Sequence, residues 1–246
     1  MLEISGLSKR YGETVALDGV TLRMESGTIH AVLGENGSGK STLVKLLSGI
    51  VAPTRGAIKI DGRLIGNSGP AEVQALGLAT VFQEVLIAPD RSVADNILLG
   101  TGTMFGWREP RATRRKLVAD VLERITRTPI DLDAPAGSLS LATGQLIVLA
   151  RALVRSPRVL ILDEVTAALD HPDREAVFQM MEGHSRAGGL ILFISHRMDE
   201  VLRLADRVTI LRNGHLVDTL ERSAVGADKL LRLMAPAAAE ELVHER

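Results

Sequence analysis

The chain has 246 residues, of which 46% are hydrophobic, so it can bury a sizeable core as one large domain or as a core with an inserted lobe. Its 29 Lys and Arg residues balance 30 Asp and Glu residues, which leaves no bulk positive charge for binding nucleic acid. The absence of cysteine excludes disulfides, thiolate zinc sites and a thiol nucleophile. No signal-peptide core is present at the start, and no apolar run approaches the ~20 residues that cross a bilayer. We therefore expect a soluble protein that reaches a membrane only through a partner.

The first 25 residues read as short strands. Apolar and polar residues alternate at positions 2–4 and again at positions 20–24, which is the pattern of a half-buried strand. Tyr11, the only tyrosine in the chain, lies between them in a loop that ends in glycine. A tyrosine there can stack on a base, although packing is the commoner role when the residue is taken alone.

A phosphate-binding motif follows the apolar run at positions 29–33, which is typical of a buried strand. The segment fits G-x-x-x-x-G-K-[S/T], in which glycines let the backbone wrap around a polyphosphate. The helix predicted over residues 40–48 would point its positive end at the anion. Lys40 supplies a cation for the terminal phosphates and Ser41 a hydroxyl for Mg²⁺. A flexible loop that binds nothing is the alternative, which the flanking strand and helix disfavour. The predicted phosphate-binding residues are Gly34, Glu35, Asn36, Gly37, Ser38, Gly39, Lys40, Ser41 and Thr42.

The middle of the chain changes from strands to helices. A hairpin is predicted over residues 55–66 with its turn at Asp61-Gly62, and after a short helix at 71–76 comes a buried strand at 78–82. Residues 88–154 are helical in pattern, with one apolar face formed by Leu117, Val118, Val121, Leu122 and Ile125. The basic segment at 108–116 is interpreted as a solvated face without a special role.

Strands return in the last third. Residues 159–162 and 190–194 are continuous apolar runs separated by a helical segment, as in a parallel sheet that is covered on both faces. Residues 208–217 read as a hairpin with its turn at Asn213-Gly214. A short helix is predicted to end at Met234, and the tail at 235–246 is expected to fray.

Three polar residues follow these two buried strands: Asp163 and Glu164 directly after the first, and His196 one serine after the second. In open α/β sheets ligands bind beyond the carboxyl ends of the strands, where the phosphate loop also lies. Asp163 can hold Mg²⁺ there, directly or through water, and Glu164 can polarise a water that attacks a terminal phosphate. Solvated loop acids are the alternative, which the upstream phosphate loop disfavours. His196 is predicted at the same edge, within reach of a terminal phosphate, although a lone histidine at a strand end is commonly structural.

The order of these pieces resembles the nucleotide-binding domain of ATP-binding cassette (ABC) proteins, from about residue 2 to residue 234. The resemblance implies an α/β fold, namely a P-loop NTPase with a mostly parallel sheet core, an N-terminal antiparallel β subdomain and an inserted α-helical lobe at about 88–155. It also implies ATP and Mg²⁺ as the bound nucleotide and metal.

The same resemblance assigns roles to single residues. Tyr11 matches the aromatic that stacks on adenine, and Gln83 the loop glutamine that joins Ser41 and Asp163 around Mg²⁺. Glu164 matches the catalytic acid and His196 the switch histidine. Asp170 belongs to the loop that contacts a second subunit. Val165 departs from the family pattern, which has proline after the catalytic glutamate.

The family's signature, usually Leu-Ser-Gly-Gly-Gln, is altered here. One register reads residues 141–145 as a copy that has lost its serine. The other places the signature at 139–143, because the family's Ala-Arg-Ala-Leu segment, here starting at Ala150, begins eleven residues after the signature leucine. We favour this second register, which makes Ser140 the N-cap of a helix running through Leu153. The residues expected to face an ATP held by the other subunit are then Ser140, Leu141 and Ala142.

Within the family, Phe82-Gln83-Glu84, the Leu-Ser-Leu-Ala signature and the segment 193–201 resemble the ATPase subunits of simple-sugar importers. The expected function is ATP hydrolysis that drives solute import, carried out at the cytoplasmic face of the cell membrane by a peripheral subunit. Its expected partners are a second cassette (a copy of itself or a different chain), membrane permease subunits and an external solute-binding protein. The alternatives are a weakly hydrolysing regulatory partner of another cassette and a soluble cassette ATPase outside transport.

Overall fold

The chain forms one antiparallel sheet and one mostly parallel sheet, and helices cover the second. The computed structural model describes residues 1–65, 69–101 and 109–234. The tail at 235–246 and Arg108 of the basic segment therefore lie outside the described residues. Within those ranges, no helix combines the length and the hydrophobicity needed to span a bilayer.

The antiparallel sheet contains four strands in the order β2-β1-β4-β5. Their bounds are β1 Leu2–Tyr11, β2 Thr14–Met24, β4 Arg55–Ile60 and β5 Arg63–Ile65. The first two strands are longer than predicted. The register of the β1–β2 pairing shifts between Ile4 and Leu7 and again before Lys9. Each shift changes which side chains face the core, so the alternation of apolar and polar residues is lost although the pairing continues to Tyr11. The predicted β4–β5 hairpin is confirmed, with Asp61 and Gly62 both at positive φ in the turn.

The second sheet contains six strands in the order β10-β9-β3-β8-β7-β6. All neighbouring pairs are parallel except β9 and β10, which form the predicted hairpin. The bounds are β3 Ile29–Leu33, β6 Leu78–Val81, β7 Val159–Asp163, β8 Leu190–Ile194, β9 Arg207–Arg212 and β10 His215–Glu221.

Two hydrophobic cores lie on opposite faces of this sheet. Alternate residues of β7 point to different cores: Leu160 and Leu162 pack with the helices, whereas Val159 and Ile161 pack toward the antiparallel sheet and α1. Both faces are apolar, which explains why β3, β7 and β8 are fully buried and read as continuous hydrophobic runs.

The helices connect the strands, and the predicted helical lobe is the connection from β6 to β7. The helices are α1 Lys40–Leu47, α2 Pro70–Ala75, α3 Val93–Ile97, α4 Arg111–Glu123, α5 Leu141–Leu153, α6 His171–Arg186, α7 Met198–Leu204 and α8 Ala227–Met234. The apolar face predicted for α4 is correct for four of its five members, which are buried, but wrong for Leu117, which is 42% exposed. Leu117 lies at the edge of that face, where the packing against the core ends. The domain bounds 2–234 remain a prediction.

Four loops that carry predicted site residues leave the parallel sheet at one edge. The phosphate loop follows β3, Gln83 follows β6, Glu164 follows β7 and His196 follows β8. Because parallel strands present all their carboxyl ends on the same side, the sheet alone brings these loops together.

One buried histidine makes the stability of the sheet dependent on pH. His30 in β3 is fully buried, and its Nε2 lies 2.7 Å from Oγ1 of Thr209 in β9. Burial, helped by the nearby Arg207 charge, lowers the pKa of His30 to about 4, so the folded protein holds the ring neutral.

We expect the free energy of unfolding to decrease as pH falls from about 6.5 toward 4, because only the unfolded chain binds a proton on His30 in that window. The shift corresponds to a loss of ~3 kcal/mol at the acid end. Denaturant unfolding at several pH values should show a shallower acid slope for His30→Asn than for the unaltered protein. His215→Asn, at an exposed histidine, is the control and should keep the full slope. Equal slopes in both variants would contradict the assignment.

Candidate nucleotide-binding and hydrolytic site

The phosphate loop has a backbone shape that depends on glycine at two packed positions. Gly34, at φ 156°, has no room for a Cβ, which would collide with the carbonyl oxygen of Leu211 and with the Ser38 side chain. Gly39, at φ 107°, would place a Cβ 2.6 Å from Cδ2 of Leu17. The loop is therefore pressed against β2 and the end of β9, and its curvature is fixed by tertiary packing as well as by local sequence.

Helix α1 starts directly from this loop and presents an uncapped N-terminus. Its N-cap is Gly39, which has no side chain to satisfy the first N–H groups, and its first turn has no acidic residue. Free N–H donors and the positive end of the helix dipole therefore face the cleft at Lys40, Ser41 and Thr42, which is the arrangement that binds phosphate.

Lys40 is held inside the loop. Its side chain is only 8% exposed, and Nζ donates hydrogen bonds to the carbonyl oxygens of Gly34 at 2.6 Å and Glu35 at 2.9 Å. Burial lowers the pKa of Lys40, and the negative charges of Glu164 and Asp163 oppose that shift. The loop thus places a cation beside two carboxylates at the edge of the sheet.

Glu164 is bracketed by two other predicted site residues. Its Oε1 lies 2.5 Å from Nε2 of His196, and its Oε2 accepts a hydrogen bond of 3.1 Å from Nε2 of Gln83. The Glu164 backbone has φ 54°, a left-handed conformation that is uncommon outside glycine, and its N–H donates to the carbonyl of Ile194 at 3.0 Å. Side chains that follow three different strands therefore meet at one carboxylate.

Asp163 has a different environment although it is the next residue in the chain. It ends β7 and is 7% exposed. Burial and the neighbouring Glu164 charge raise the pKa of Asp163, and Lys40 and His196 partly offset that rise. A desolvated carboxylate of this kind gains from a cation placed beside it.

These residues surround one open cleft of about 530 Å³. The predicted residues Gly34, Glu35 and Asp163 do not line it. Gly34 and Asp163 are buried, whereas Glu35 is exposed and meets the site only through its carbonyl, which accepts from Lys40. Three residues at the start of β2, Thr14, Val15 and Ala16, line the cleft and were not predicted, because nothing in their local sequence shows that they face a loop that lies further along the chain. The lining residues are Tyr11, Thr14, Val15, Ala16, Asn36, Gly37, Ser38, Gly39, Lys40, Ser41, Thr42, Gln83, Glu164 and His196.

Tyr11 stands at the outer end of the cleft and is 44% exposed. Nζ of Lys9 lies 5.1 Å from the centre of its ring, within range of a cation–π contact. Tyr11 is thus not buried in a core, and a ring face at the rim of a phosphate-binding cleft can receive a flat base.

The predicted signature residues lie outside this cleft. Ser140 is the N-cap of α5, with Oγ accepting a hydrogen bond from Thr143 N at 3.2 Å, which confirms the predicted cap and the helix through Leu153. Leu141 follows it and is 67% exposed. Asp170 is the N-cap of α6 and accepts from Asp173 N at 3.0 Å. Neither Ser140 nor Asp170 lines the cleft of its own chain.

The donor set suits Mg²⁺ bound together with phosphate. Magnesium typically takes one or two carboxylates, with waters and substrate phosphates completing its shell. Among the described residues, no group of three or more His, Cys, Asp and Glu side chains could hold a metal by itself. The Ser41 hydroxyl and the Gln83 amide line the cleft, and the buried Asp163 carboxylate directly precedes Glu164, which also lines it. These oxygen donors fit a metal that arrives with a nucleotide.

Comparison with known proteins agrees with this geometry. The ABC transporter family model matches residues 17–167, more than half of the chain. The ribose import ATP-binding protein RbsA 1 of Rhizobium johnstonii is 39% identical over 234 residues, covering 95% of this chain and 46% of that protein. RbsA 1 of Burkholderia thailandensis is 40% identical over 239 residues, covering 95% and 46%. The chain thus spans about half the length of the curated relatives it matches.

Solved structures match almost the whole chain. The cbiO1 protein of Clostridium perfringens, part of the ABC transporter complex cbiONQ, superposes with a TM-score of 0.78 at 28% identity, covering 98% of each chain. A bacterial ABC transporter cassette solved as a dimer gives a TM-score of 0.82 at 24% identity, covering 90% of this chain and 99% of that one. The predicted α/β P-loop fold is confirmed, and the chain belongs to the ABC transporter family.

Proposed function

We propose that this chain hydrolyses ATP as the cassette subunit of an ABC importer. The observation that carries the proposal is the position of Glu164, whose carboxylate lies at the cleft between His196 and Gln83, opposite a phosphate loop that contains Lys40. This is a base, a polar partner on each side and a cation arranged around the place where a terminal phosphate would lie.

Binding and orientation come first in the proposed mechanism. The ring of Tyr11 supports the adenine, while the loop N–H groups and Lys40 Nζ neutralise the phosphate charge. Ser41, Gln83 and Asp163 would hold Mg²⁺, which when bound offsets the charge that develops on the transferred phosphoryl group. Lys40 has to exchange its carbonyl partners in the loop for phosphate oxygens, a change of partner within the same buried position.

Hydrolysis depends on the Glu164 carboxylate. Its Oε atoms orient a water in line with the terminal phosphate and accept the proton that the water loses. His196 Nε2, 2.5 Å from Glu164 Oε1, steadies the carboxylate while the cleft holds no nucleotide and exchanges it for a γ-phosphate oxygen when ATP binds. Gln83 Nε2 fixes the other Glu164 oxygen until a nucleotide and its metal arrive.

The complete site is proposed to need a second cassette. Ser140 and Leu141, at the start of α5, are exposed and lie outside the cleft of their own chain. In the proposed assembly they face the γ-phosphate held by an opposing phosphate loop, while Asp170 lies at the contact between subunits. The dimeric cassette among the solved structures supports this arrangement, with either a second copy or a different cassette as partner.

Import, and sugar as the solute, are inferred from the relatives, which are named as ribose import proteins. In this proposal the chain is peripheral to the cytoplasmic face of the membrane and binds permease subunits that work with an external solute-binding protein. The docking surface is residues 83–91 with the helical lobe. When the cassette pair opens and closes, this docking surface would transmit the movement to the permease.

The docking segment is firmly tied to the lobe. Asn96 is 1% exposed and exchanges hydrogen bonds with the backbone of Ala88, N–H to Oδ1 at 2.8 Å and Nδ2 to O at 2.9 Å. Arg151 of α5 donates to the carbonyl of Leu86 at 2.9 Å and to that of Asn96 at 2.8 Å. Because Ser140 caps α5 and Arg151 lies in the same helix, movement at the signature end would reach the docking segment through these bonds.

A second candidate function is a regulatory cassette that binds ATP and hydrolyses it slowly. The altered signature favours it: Leu141 and Ala142 stand where the family has glycines, and the Leu141 side chain is 67% exposed beside the Ser140 cap. That side chain would keep the backbone at Ser140 further from the γ-phosphate on the opposing cassette. Rapid hydrolysis by purified homodimer would exclude this candidate.

Replacing Glu164 by Gln should leave ATP affinity within a factor of about three and lower turnover at least ~100-fold, because the amide cannot accept the proton of the attacking water. Phosphate release and equilibrium ATP binding measure the two effects. Glu123→Gln, at an exposed position of α4, is the control and should behave as the unaltered protein. Unchanged turnover in Glu164→Gln would remove the assigned role.

Two variants of Ser140 separate helix capping from phosphate contact. Asn and Asp both cap helices well, so Ser140→Asn and Ser140→Asp should melt within a few degrees of each other. The carboxylate alone repels a γ-phosphate, so turnover of Ser140→Asp should fall at least ~10-fold below that of Ser140→Asn. Equal turnover would mean that Ser140 is only a cap, and the opposing site would have to be sought elsewhere.

The import proposal is tested by isolating the tagged chain from its native membranes. We expect permease subunits to co-purify, and ATP hydrolysis by the complex to rise when a solute-binding protein loaded with ribose or another simple sugar is added. The same complex carrying Glu164→Gln is the control and should bind the partners without hydrolysis. Recovery of nucleic acid or ribosomes in place of membrane subunits would overturn the import role.

A further inference from the structure

A buried carboxylate joins the two loops that carry Glu164 and His196. Glu200 lies in the first turn of α7 and is 2% exposed. Its oxygens accept hydrogen bonds from Thr166 Oγ1 at 3.0 and 2.9 Å and from Ser195 Oγ at 2.7 Å. Ser195 Oγ also accepts a hydrogen bond from the backbone N–H of Arg197 at 3.0 Å. The Ser195 hydroxyl therefore connects the Glu200 carboxylate to the backbone of the loop.

The two hydroxyls stand next to the residues assigned to hydrolysis. Thr166 is two residues after Glu164 in the turn that leaves β7, and Ser195 immediately precedes His196 at the end of β8. The sheet aligns these segments only as far as the pairing of Asp163 with Ile194. Beyond that pair, the Thr166–Glu200–Ser195 bridge links the loop after β7 to the loop after β8. None of the three residues lines the cleft.

Packing alone does not call for an acid at this position. Glu200 lies beside a small cavity whose other lining residues are mostly apolar, among them Leu162, Phe193 and Leu204. Arg197 approaches it only at 3.9 Å, from Nε to Oε1, so the Glu200 oxygens are satisfied chiefly by the two hydroxyl donors. An aliphatic side chain would suit those neighbours, but only an acceptor can hold both hydroxyls.

The Glu164 backbone adds a reason for such a bridge. A non-glycine residue in the left-handed region persists when its surroundings fix it from several sides. Glu164 has φ 54°, and after the core residue Val165, which is 4% exposed, Thr166 is fixed by its hydrogen bonds to the buried Glu200. Release of Thr166 would let the turn relax and carry the Glu164 carboxylate away from His196.

We propose that Glu200 is a positioning residue for ATP hydrolysis, which sets the separation of Glu164 and His196 by holding Thr166 and Ser195. This inference rests on the proposed roles of Glu164 and His196. Glu200 does not line the nucleotide cleft, so it acts on turnover and not on nucleotide affinity.

The test compares substitutions at Glu200 by ATP turnover, ATP affinity and melting temperature. Glu200→Leu removes both acceptors and should lower kcat by ~10- to 100-fold, because displacement of reacting groups by about 1 Å has effects of that size. The ATP Kd should stay within a factor of about three. Glu200→Gln keeps an acceptor oxygen and the side-chain length, and should recover at least about a third of the unaltered kcat.

The matched control is Glu175→Gln. Glu175 of α6 holds Arg203 of α7 in an exposed ion pair and reaches neither loop, so this variant loosens another attachment of α7 without touching the bridge. Its kcat should be unchanged. If Glu200→Leu fails to fold, Thr166→Val combined with Ser195→Ala removes the donors in place of the acceptor and should give the same loss of kcat at constant Kd.

A second set of variants separates failure of this inference from failure of the proposed function. In a Glu164→Gln background, Glu200→Leu should cause no further loss, because the group it positions is already inactive. Normal kcat in Glu200→Leu, or in the Thr166 and Ser195 double variant, together with an inactive Glu164→Gln protein, would overturn the role of Glu200 alone. Normal turnover in Glu164→Gln would overturn the assignment on which it rests.

Discussion

The parallel pairing of β3, β8, β7 and β6 is the constraint on which the rest of the molecule depends. It places four loops at one edge of the sheet, and the pairing of Asp163 with Ile194 sets how far apart the β7 and β8 loops start. Glu164 and His196 come within 2.5 Å of one another because their strands are neighbours in the sheet although they are more than thirty residues apart in sequence.

Charge at this edge is concentrated but balanced. Two carboxylates lie beside the buried Lys40 ammonium, and burial shifts the pKa of Lys40 downward and the pKa of Asp163 upward. Each group is therefore held in surroundings that disfavour its charged form and that improve when a counter-charge arrives. In the proposed function, a polyphosphate with its metal would provide both signs at once, which favours that kind of ligand at the cleft.

Polar side chains away from the cleft organise the loops that the sheet leaves free. Asn96 and Arg151 fix the segment after Gln83 to the helical lobe, and Glu200 ties the loops after β7 and β8 to each other. In each case one buried polar group satisfies several donors or acceptors that would otherwise be costly to bury. In the proposed function, these ties would let the loops move together as units when the cassette pair opens and closes.

The sequence by itself determined the elements whose signals are local: the buried strands, the hairpin turns at Asp61 and Asn213, the phosphate loop and the Ser140 cap, since each depends on neighbouring residues in the chain. Resemblance to a family supplied the proposed roles of Tyr11, Gln83 and His196, which their local sequence left open. The tertiary structure alone decided four features: the register shifts within β1, the cleft wall at Val15, the exposure of Leu117 and the bridge at Glu200. Each of these depends on a partner from a distant part of the chain, so no pattern within a short window of sequence can report it.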